Sequence, residues 1–341
     1  MSPMLLERIA DELLSGRADD GRLDVAAAGL CSLCSSVTGI DDSSARADDS
    51  EGTRLPDGEA ISPRDAARCV LDHRRTSRFL RGLHAAILEA RKRFPGAVTE
   101  VLYAGCGPFA PLAVPLTTRF SPAEVKFTLL DVHQRSLDAA RRVFQALGKS
   151  ASVRDYVRCD AASYRHEAPH PLHVVVVETM QAALEREPQV AVTMNLAPQL
   201  CPGGILVPER ITVDCCLCDP AGEGARVDLG RVLDLTAGGG AVLSSKRLLH
   251  VPEELDGERH LMLLTSITVF DRIALDEDES GLTSPRILFD AGRVRGGEVV
   301  EIEYRPGDRP GFRYRSLQGG QAGASPARSR PSSGYPSERA T

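Results

Sequence analysis

Two glutamates, Glu178 and Glu187, stand nine residues apart directly after the apolar run Val174–Val177, in the text VVVVETMQAALEREP. Consecutive valines read as a strand buried on both faces, and the carboxyl end of such a strand is where open α/β sheets hold ligands. Two carboxylates there, on either side of a short apolar turn, can clamp one planar cation such as a guanidinium. Upstream, VLYAGCGP places Gly105, Cys106 and Gly107 between a strand and an apolar run. Glycine permits a sharp turn and lets backbone N–H groups approach a nucleotide-like cofactor, although a tight turn alone would explain the pair. Asp131, after the next strand, can accept both hydroxyls of a ribose or simply sit as a charge at a helix start. Asp160, after the strand that follows, lies where an adenine would be flanked and can receive its exocyclic amine, or is a loop carboxylate. The third position of a G-x-G-x-x-G pattern is Ala110, which some dinucleotide fingerprints tolerate, and no Walker lysine follows Gly107, which disfavours ATP hydrolysis.

The elements that must position these residues alternate. Amphipathic helices are expected over 3–16 and 24–37, then an acidic Gly/Pro/Ser-bearing linker over 41–60. Ser62-Pro63 can start a helix that runs to Phe94. Strands are expected at Val98–Tyr103, Val125–Leu130, Val153–Arg158 and Leu172–Val177, with helices at Phe109–Thr118, Arg135–Leu147 and Ala182–Leu200. A turn at Cys201–Gly204 leads into Ile205–Pro208. This alternation predicts a parallel, Rossmann-like sheet with right-handed crossovers. After Pro208 strand-like runs follow without long helices (Ile211–Cys216, Arg226–Leu235, Arg247–Val251, Leu261–Phe270, Arg286–Phe289 and Val299–Tyr304), predicting an all-β, barrel-like second domain. The expected organisation is therefore 1–60 helical segment and linker, 61–209 α/β domain, 210–316 β domain, and 317–341 disordered tail.

The bulk numbers bound the function. The chain has 341 residues, 42% hydrophobic, with net charge −6. An acidic balance argues against general binding to nucleic acid or anionic membranes, and no apolar run is long enough for a span. The amino terminus lacks a secretory layout, so a cytoplasmic protein is expected. Nine scattered cysteines, an odd number, fit reduced thiols. Cys31-x-x-Cys34 has no second pair at zinc spacing, so no metal is expected.

Four stretches together resemble the protein arginine N-methyltransferases, a branch of the class I S-adenosylmethionine enzymes. Asp72–Phe79 (DHRRTSRF) is similar to the family's D-x-x-R-T-x-x-Y/F helix, and VLYAGCGP to its glycine turn. Glu178 to Glu187 is similar to its double-glutamate loop, with the same spacing, and LCPGGILVP to its L-x-P-G-G-x-x-x-P step into a barrel. The resemblance covers roughly residues 62–210. It implies that Arg75 pairs with the methionine carboxylate of S-adenosyl-L-methionine, that Gly105 and Gly107 admit the cofactor, and that Asp131 holds its ribose. It further implies that Met180 packs near the sulfonium, or else is ordinary core, and that Glu178 and Glu187 receive the substrate guanidinium, with Glu185 as a competitor. A homodimer is implied by resemblance only.

The pattern also departs from the family. Tyr103 replaces the usual acid of the cofactor turn, Phe109 its last glycine and Thr179 its tryptophan, and a chain without Trp has no T-H-W loop to bring a histidine to the substrate. Neither His250 nor His260 sits in a matching context. These departures favour a small-molecule acceptor. Family members that methylate free L-arginine for natural-product (antibiotic) pathways such as that of streptozotocin are the nearest fit, ahead of peptidyl arginine. Methylation of another amine, hydroxyl or carboxylate is the alternative, as is a degenerate binding protein that has lost the cofactor.

Overall fold

The computed structural model describes residues 3–41, 47–167, 169–219, 225–238, 246–289 and 292–317. The chain opens with helices α1 (Pro3–Leu14), α2 (Asp20–Thr38) and α3 (Ala47–Ser50), then a hairpin of β1 (Thr53–Leu55) and β2 (Gly58–Ala60). Helices α4 (Pro63–Arg68) and α5 (His73–Arg93) lead into β3 (Thr99–Ala104), β4 (Val125–Asp131), α6 (Gln134–Ala146), β5 (Val153–Arg158), β6 (Leu172–Val177), α7 (Gln189–Leu196) and β7 (Leu200–Val207). The remaining strands are β8 (Arg210–Cys218), β9 (Val227–Thr236), β10 (Arg247–His250), β11 (His260–Phe270), β12 (Ile273–Leu275), β13 (Arg286–Ile287), β14 (Val299–Arg305) and β15 (Gly311–Ser316).

The first large sheet is parallel throughout, in the order β5-β4-β3-β6-β7. Every residue of β3 and β6 is buried, which is why both read as near-continuous apolar runs. The polar β5 takes the edge. The chain runs outward from β3 through β4 to β5, then returns to lay β6 on the other side of β3. That reversal makes a switch point at the carboxyl ends of β3 and β6, where side loops diverge and leave a crevice. Beyond β7 the sheets are antiparallel: β12-β11-β8-β9 with β13 against β11, and β10-β14-β15. The fold is thus a Rossmann-like α/β unit followed by a strand-rich β region, as the sequence predicts.

Helix α5 joins the two. Asp72 caps it, its Oδ1 accepting from Arg75 N at 3.1 Å, while Oδ2 accepts from Ser280 Oγ and Gly281 N in the β region. Its face Thr76, Phe79, Leu80, Leu83, Ile87 is buried at helical spacing, and each fully buried leucine or phenylalanine contributes about 1.5–3 kcal/mol. The amino-terminal helices share this core: Leu6, Leu13 and Leu30 belong to the same apolar cluster as Phe79 and Leu80, and Ser77 Oγ donates to Leu13 O at 2.7 Å.

Several expectations are corrected. The helix expected to run unbroken to Phe94 breaks at Asp72, whose backbone is not helical. Phe109–Thr118 is mostly turns with a short 3-10 segment at Pro115–Thr118, because Ala110 takes a positive φ of 42°. Ala182–Leu200 is likewise not one helix: positive φ at Ala183, Leu184 and Arg186 delays α7 to Gln189. Cys201–Gly204 lies within β7, Gly203 taking its positive φ of 84° without ending the strand. The acidic stretch expected as linker holds α3 and the β1–β2 hairpin, and its residues 42–46 lie outside the described residues, as does 318–341 of the expected tail. Strands β12 and β15 are additional.

Gly82 is where α5 meets β11 closely, since a Cβ there would fall 2.3 Å from Val269 Cγ1. Gly82→Ala gains about 1 kcal/mol of helix propensity, but forcing a methyl against a stiff β-branched side chain costs about 1–3 kcal/mol. The variant is therefore expected to be the less stable protein, read as a lower urea midpoint with unchanged slope.

Candidate functional site

A cleft opens at the switch point, with about 950 Å³ of empty space counted out to solvent. Arg75, Gly105, Gly107, Asp131, Asp160, Glu178 and Glu187 all line it. Met180 does not line it: it is 1% exposed and packs in the main core.

The glycine turn is shaped by its neighbours. Gly105 has φ 72°, and a Cβ there would strike Thr179 Cγ2 at 2.3 Å. The two turns after β3 and β6 therefore close on each other, and only glycine fits. Gly107 has φ 61° and donates its N–H to Asp131 Oδ2 at 2.9 Å. Asp131 Oδ1 accepts from His133 N at 2.8 Å. Both oxygens of Asp131 are thus oriented by backbone donors, and each keeps acceptor capacity toward the cleft. Asp160 Oδ1 accepts from Ala162 N at 2.9 Å, fixing the loop after β5.

The two glutamates converge through a strained loop. Glu178 follows β6 directly. Buried Gln189 holds the backbone beside it, accepting from Thr179 N at 2.9 Å and donating to Val177 O at 3.2 Å. Ala183, Leu184 and Arg186 then take φ values near 55–66°, a region that costs non-glycine residues of order 1–3 kcal/mol each. Partners from far along the chain hold them there. Ala183 N donates to Thr265 Oγ1 (2.8 Å), Tyr304 O–H to Leu184 O (2.9 Å), Arg186 N to Pro310 O (3.1 Å) and Glu59 N to Arg186 O (2.8 Å). The twist separates the two acids: Glu185 turns to Arg286 at 3.1 Å, while Glu187 lines the cleft at 7% exposure.

Arg75 forms a buried ion pair with Glu178. Burial opposes the Arg75 charge, but Cys69, Glu178 and Glu187 more than offset it, and its pKa stands well above the ordinary value. Burial also pushes the Glu178 carboxyl up, against the pull of Arg75. Glu187 is pushed up to about 7, first by burial, with Glu178 adding and Arg75 and a Gln181 hydrogen bond opposing. The cleft therefore holds two carboxylates within each other's field and one guanidinium already against them.

Four features of the site escaped sequence reasoning. Gln189 carried no motif. Tyr103 and Cys69 line the cleft, and the first was visible only as a departure from a pattern. The β1–β2 hairpin supplies part of the wall through Leu55 and Ala60, with Ile61 beside them. Its signal was present: Pro56-Asp57-Gly58 is turn chemistry between two short runs. Gly58 is required, for a Cβ there would fall 2.6 Å from Arg186 O. Among the described residues no group of three or more His, Cys, Asp or Glu could hold a metal ion, and no helix is long and apolar enough to cross a membrane.

No protein-family model matches the chain, and no curated protein matches it in sequence. Among solved structures, its fold is similar to that of a chain in the Trypanosoma brucei PRMT1 enzyme–prozyme heterotetrameric complex with AdoHcy. The TM-score is 0.52 at 13% identity, over 74% of this chain and 97% of that one. At that identity the likeness defines the fold: a Rossmann-like unit with a β region, shared with an arginine methyltransferase assembly.

The raised Glu187 pKa has a stability consequence. A carboxyl whose folded pKa lies above its unfolded value favours the folded state below the unfolded pKa, and that contribution is lost as pH rises through the folded pKa. Here the window runs from 4.5 to about 7. Glu187→Gln removes the titration, so the variant is expected to melt higher than the parent at pH 8, by up to about 3 kcal/mol, and alike at pH 4.5. Thermal melts at the two pH values check this; a variant less stable at pH 8 refutes the assignment.

Proposed function

We propose that the protein is an S-adenosyl-L-methionine-dependent N-methyltransferase acting on a guanidinium nitrogen, with free L-arginine preferred over peptidyl arginine. The observation that carries the reading is the Arg75–Glu178 ion pair within a cleft that Glu187 also lines: the site already accommodates one guanidinium. The similar fold found in the PRMT1 enzyme–prozyme complex with AdoHcy lies in the same direction.

The residues fit the cofactor. Glycines at positive φ keep the turn after β3 free of side chains, Asp131 offers oriented acceptors for a ribose, and Asp160 stands one strand further out for the adenine. S-adenosylmethionine, when bound, supplies a methyl group on a sulfonium. The chain's own work is on the acceptor. A guanidinium is a poor nucleophile, its lone pairs delocalised and its pKa above about 12. Burying it unpaired would cost several kcal/mol or more. Glu178 and Glu187 offset that cost, fix the plane and draw positive charge toward one edge, leaving another nitrogen better able to attack. Glu178 Oε1 faces Arg75, which leaves Oε2 for the substrate. Positioning and electrostatics then carry the rate.

A small acceptor is supported by the wall that Leu55, Ala60 and Ile61 place over the cleft and by Thr179, a small side chain packed onto Gly105. A homodimer belongs to the same reading, and a mass of two chains by light scattering is the expected result.

Incubation with S-adenosylmethionine and either free L-arginine or an Arg/Gly-rich peptide is expected to add methyl mass to free arginine. Methylation of the peptide alone would refute the small-molecule preference; methylation of a non-guanidino amine, hydroxyl or carboxylate would favour the alternative. Glu178→Gln is expected to lose nearly all transfer, about 100-fold or more, and to lower stability as well, because it leaves the buried Arg75 without its charged partner. Because Glu187 must be ionised to hold the cation, kcat/KM for arginine is expected to fall about tenfold per pH unit below about 7. That acid limb is expected to vanish in Glu187→Gln, whatever activity remains.

A further inference from the structure

Tyr103 has no role in the reading above, yet it sits at the centre of the site. It ends the middle strand of the parallel sheet but one residue, is 1% exposed, and lines the cleft. Its electrostatic neighbours are Glu178, Cys106, Arg75 and Cys69. No hydrogen bond joins its hydroxyl to any described residue, and the side chain is open to the cleft.

A phenol facing a cleft is a donor held in place for an oxygen that enters it. Burial first, and the negative Glu178 next, push the phenol far above its usual range, so it remains a neutral donor at any working pH. It therefore wants an oxygen acceptor, and it adds no negative charge beside the Arg75–Glu178 pair. An acid at this position would repel an anionic group approaching Arg75. A tyrosine instead offers that group an O–H while Arg75 supplies the positive charge. The combination of a fixed neutral donor and an adjacent guanidinium suits a carboxylate.

We infer that Tyr103 is a positioning residue whose hydroxyl, together with Arg75, holds the carboxylate of an amino-acid ligand in the cleft. The inference rests on the cofactor and substrate reading proposed above. An α-amino-acid carboxylate can come from two sources, the methionyl end of the cofactor or free arginine itself. Both offer the same acceptor, and paired ligands with and without it tell them apart.

The experiment is calorimetry on the full chain and on Tyr103→Phe, which keeps the ring and removes only the donor. For the cofactor arm the ligands are S-adenosylhomocysteine and 5′-methylthioadenosine, which lacks the carboxylate. For the substrate arm they are L-arginine and agmatine, in the presence of saturating S-adenosylhomocysteine. In one arm the wild type is expected to prefer the carboxylate-bearing ligand, and Tyr103→Phe to lose roughly ten- to a hundredfold of that preference, the size of a hydrogen bond to a charged group. Unchanged affinity for the partner ligand without a carboxylate shows that the variant's site is intact. The arm that responds identifies the source. Preferences retained in both arms overturn the assignment, as does an equal loss for both ligands of each pair, which would mark Tyr103 as merely structural. If the wild type binds neither nucleoside, the cofactor reading itself fails, and this inference with it.

Discussion

The ion pair between Arg75 and Glu178 is the constraint around which the site is built. Both side chains are largely buried, 14% and 11% exposed. Taking two such ions from water costs several kcal/mol apiece, and removing one partner leaves the other uncompensated at about 3–5 kcal/mol. The pair can exist only where both ends are held. Arg75 is held in the first turn of α5, whose cap Asp72 is itself tied to Ser280 and Gly281. Glu178 is held at the end of the fully buried β6, with Gln189 fastening the backbone after it. Helix cap, central strand and β region are all engaged by one pair of charges.

Local electrostatics are broken to achieve this. The first turn of α5 reads His73-Arg74-Arg75 with no acid, and cations at a helix start are unfavourable by about 0.3–1 kcal/mol each. The structure answers each charge from elsewhere. Arg74 pairs with Asp20 at the start of α2, Arg75 with Glu178. A local rule broken and compensated at long range is what a functional site looks like. The same pattern recurs in the loop to Glu187, where unfavourable φ values are held by partners from both the amino-terminal hairpin and the β region.

Much of this was legible from residue types. Four valines and the glycine turn identified the central strands, because a strand buried on both faces must be apolar along its whole length. Glu178, Glu187 and Arg75, singled out by type and spacing, line one cleft. The failures share a physical origin. Phe109–Thr118 and Ala182–Leu200 have helical composition, yet each carries alanines or other residues at positive φ, a choice made by tertiary contacts that no local propensity encodes. Gln189 looks like any polar helix residue until Val177 O and Thr179 N are seen beside it. Met180 packs in the main core, a place its residue type alone does not indicate. The hairpin at 53–60 was hidden by the acidic residues around it, although its Pro-Asp-Gly turn was in plain view.

The bracing of the loop that carries Glu187 bears on the order in which the molecule can assemble. Glu59 N reaches Arg186 O across 127 residues of chain, and Arg186 N reaches Pro310 O across 124. Contacts of such sequence separation must await loop closure and form late. The parallel sheet, with its more local pairings, can form while the clamp is still open, and the loop takes its unfavourable turn only after both distant segments have arrived. The loop that carries Glu187 is thus expected to order late in folding.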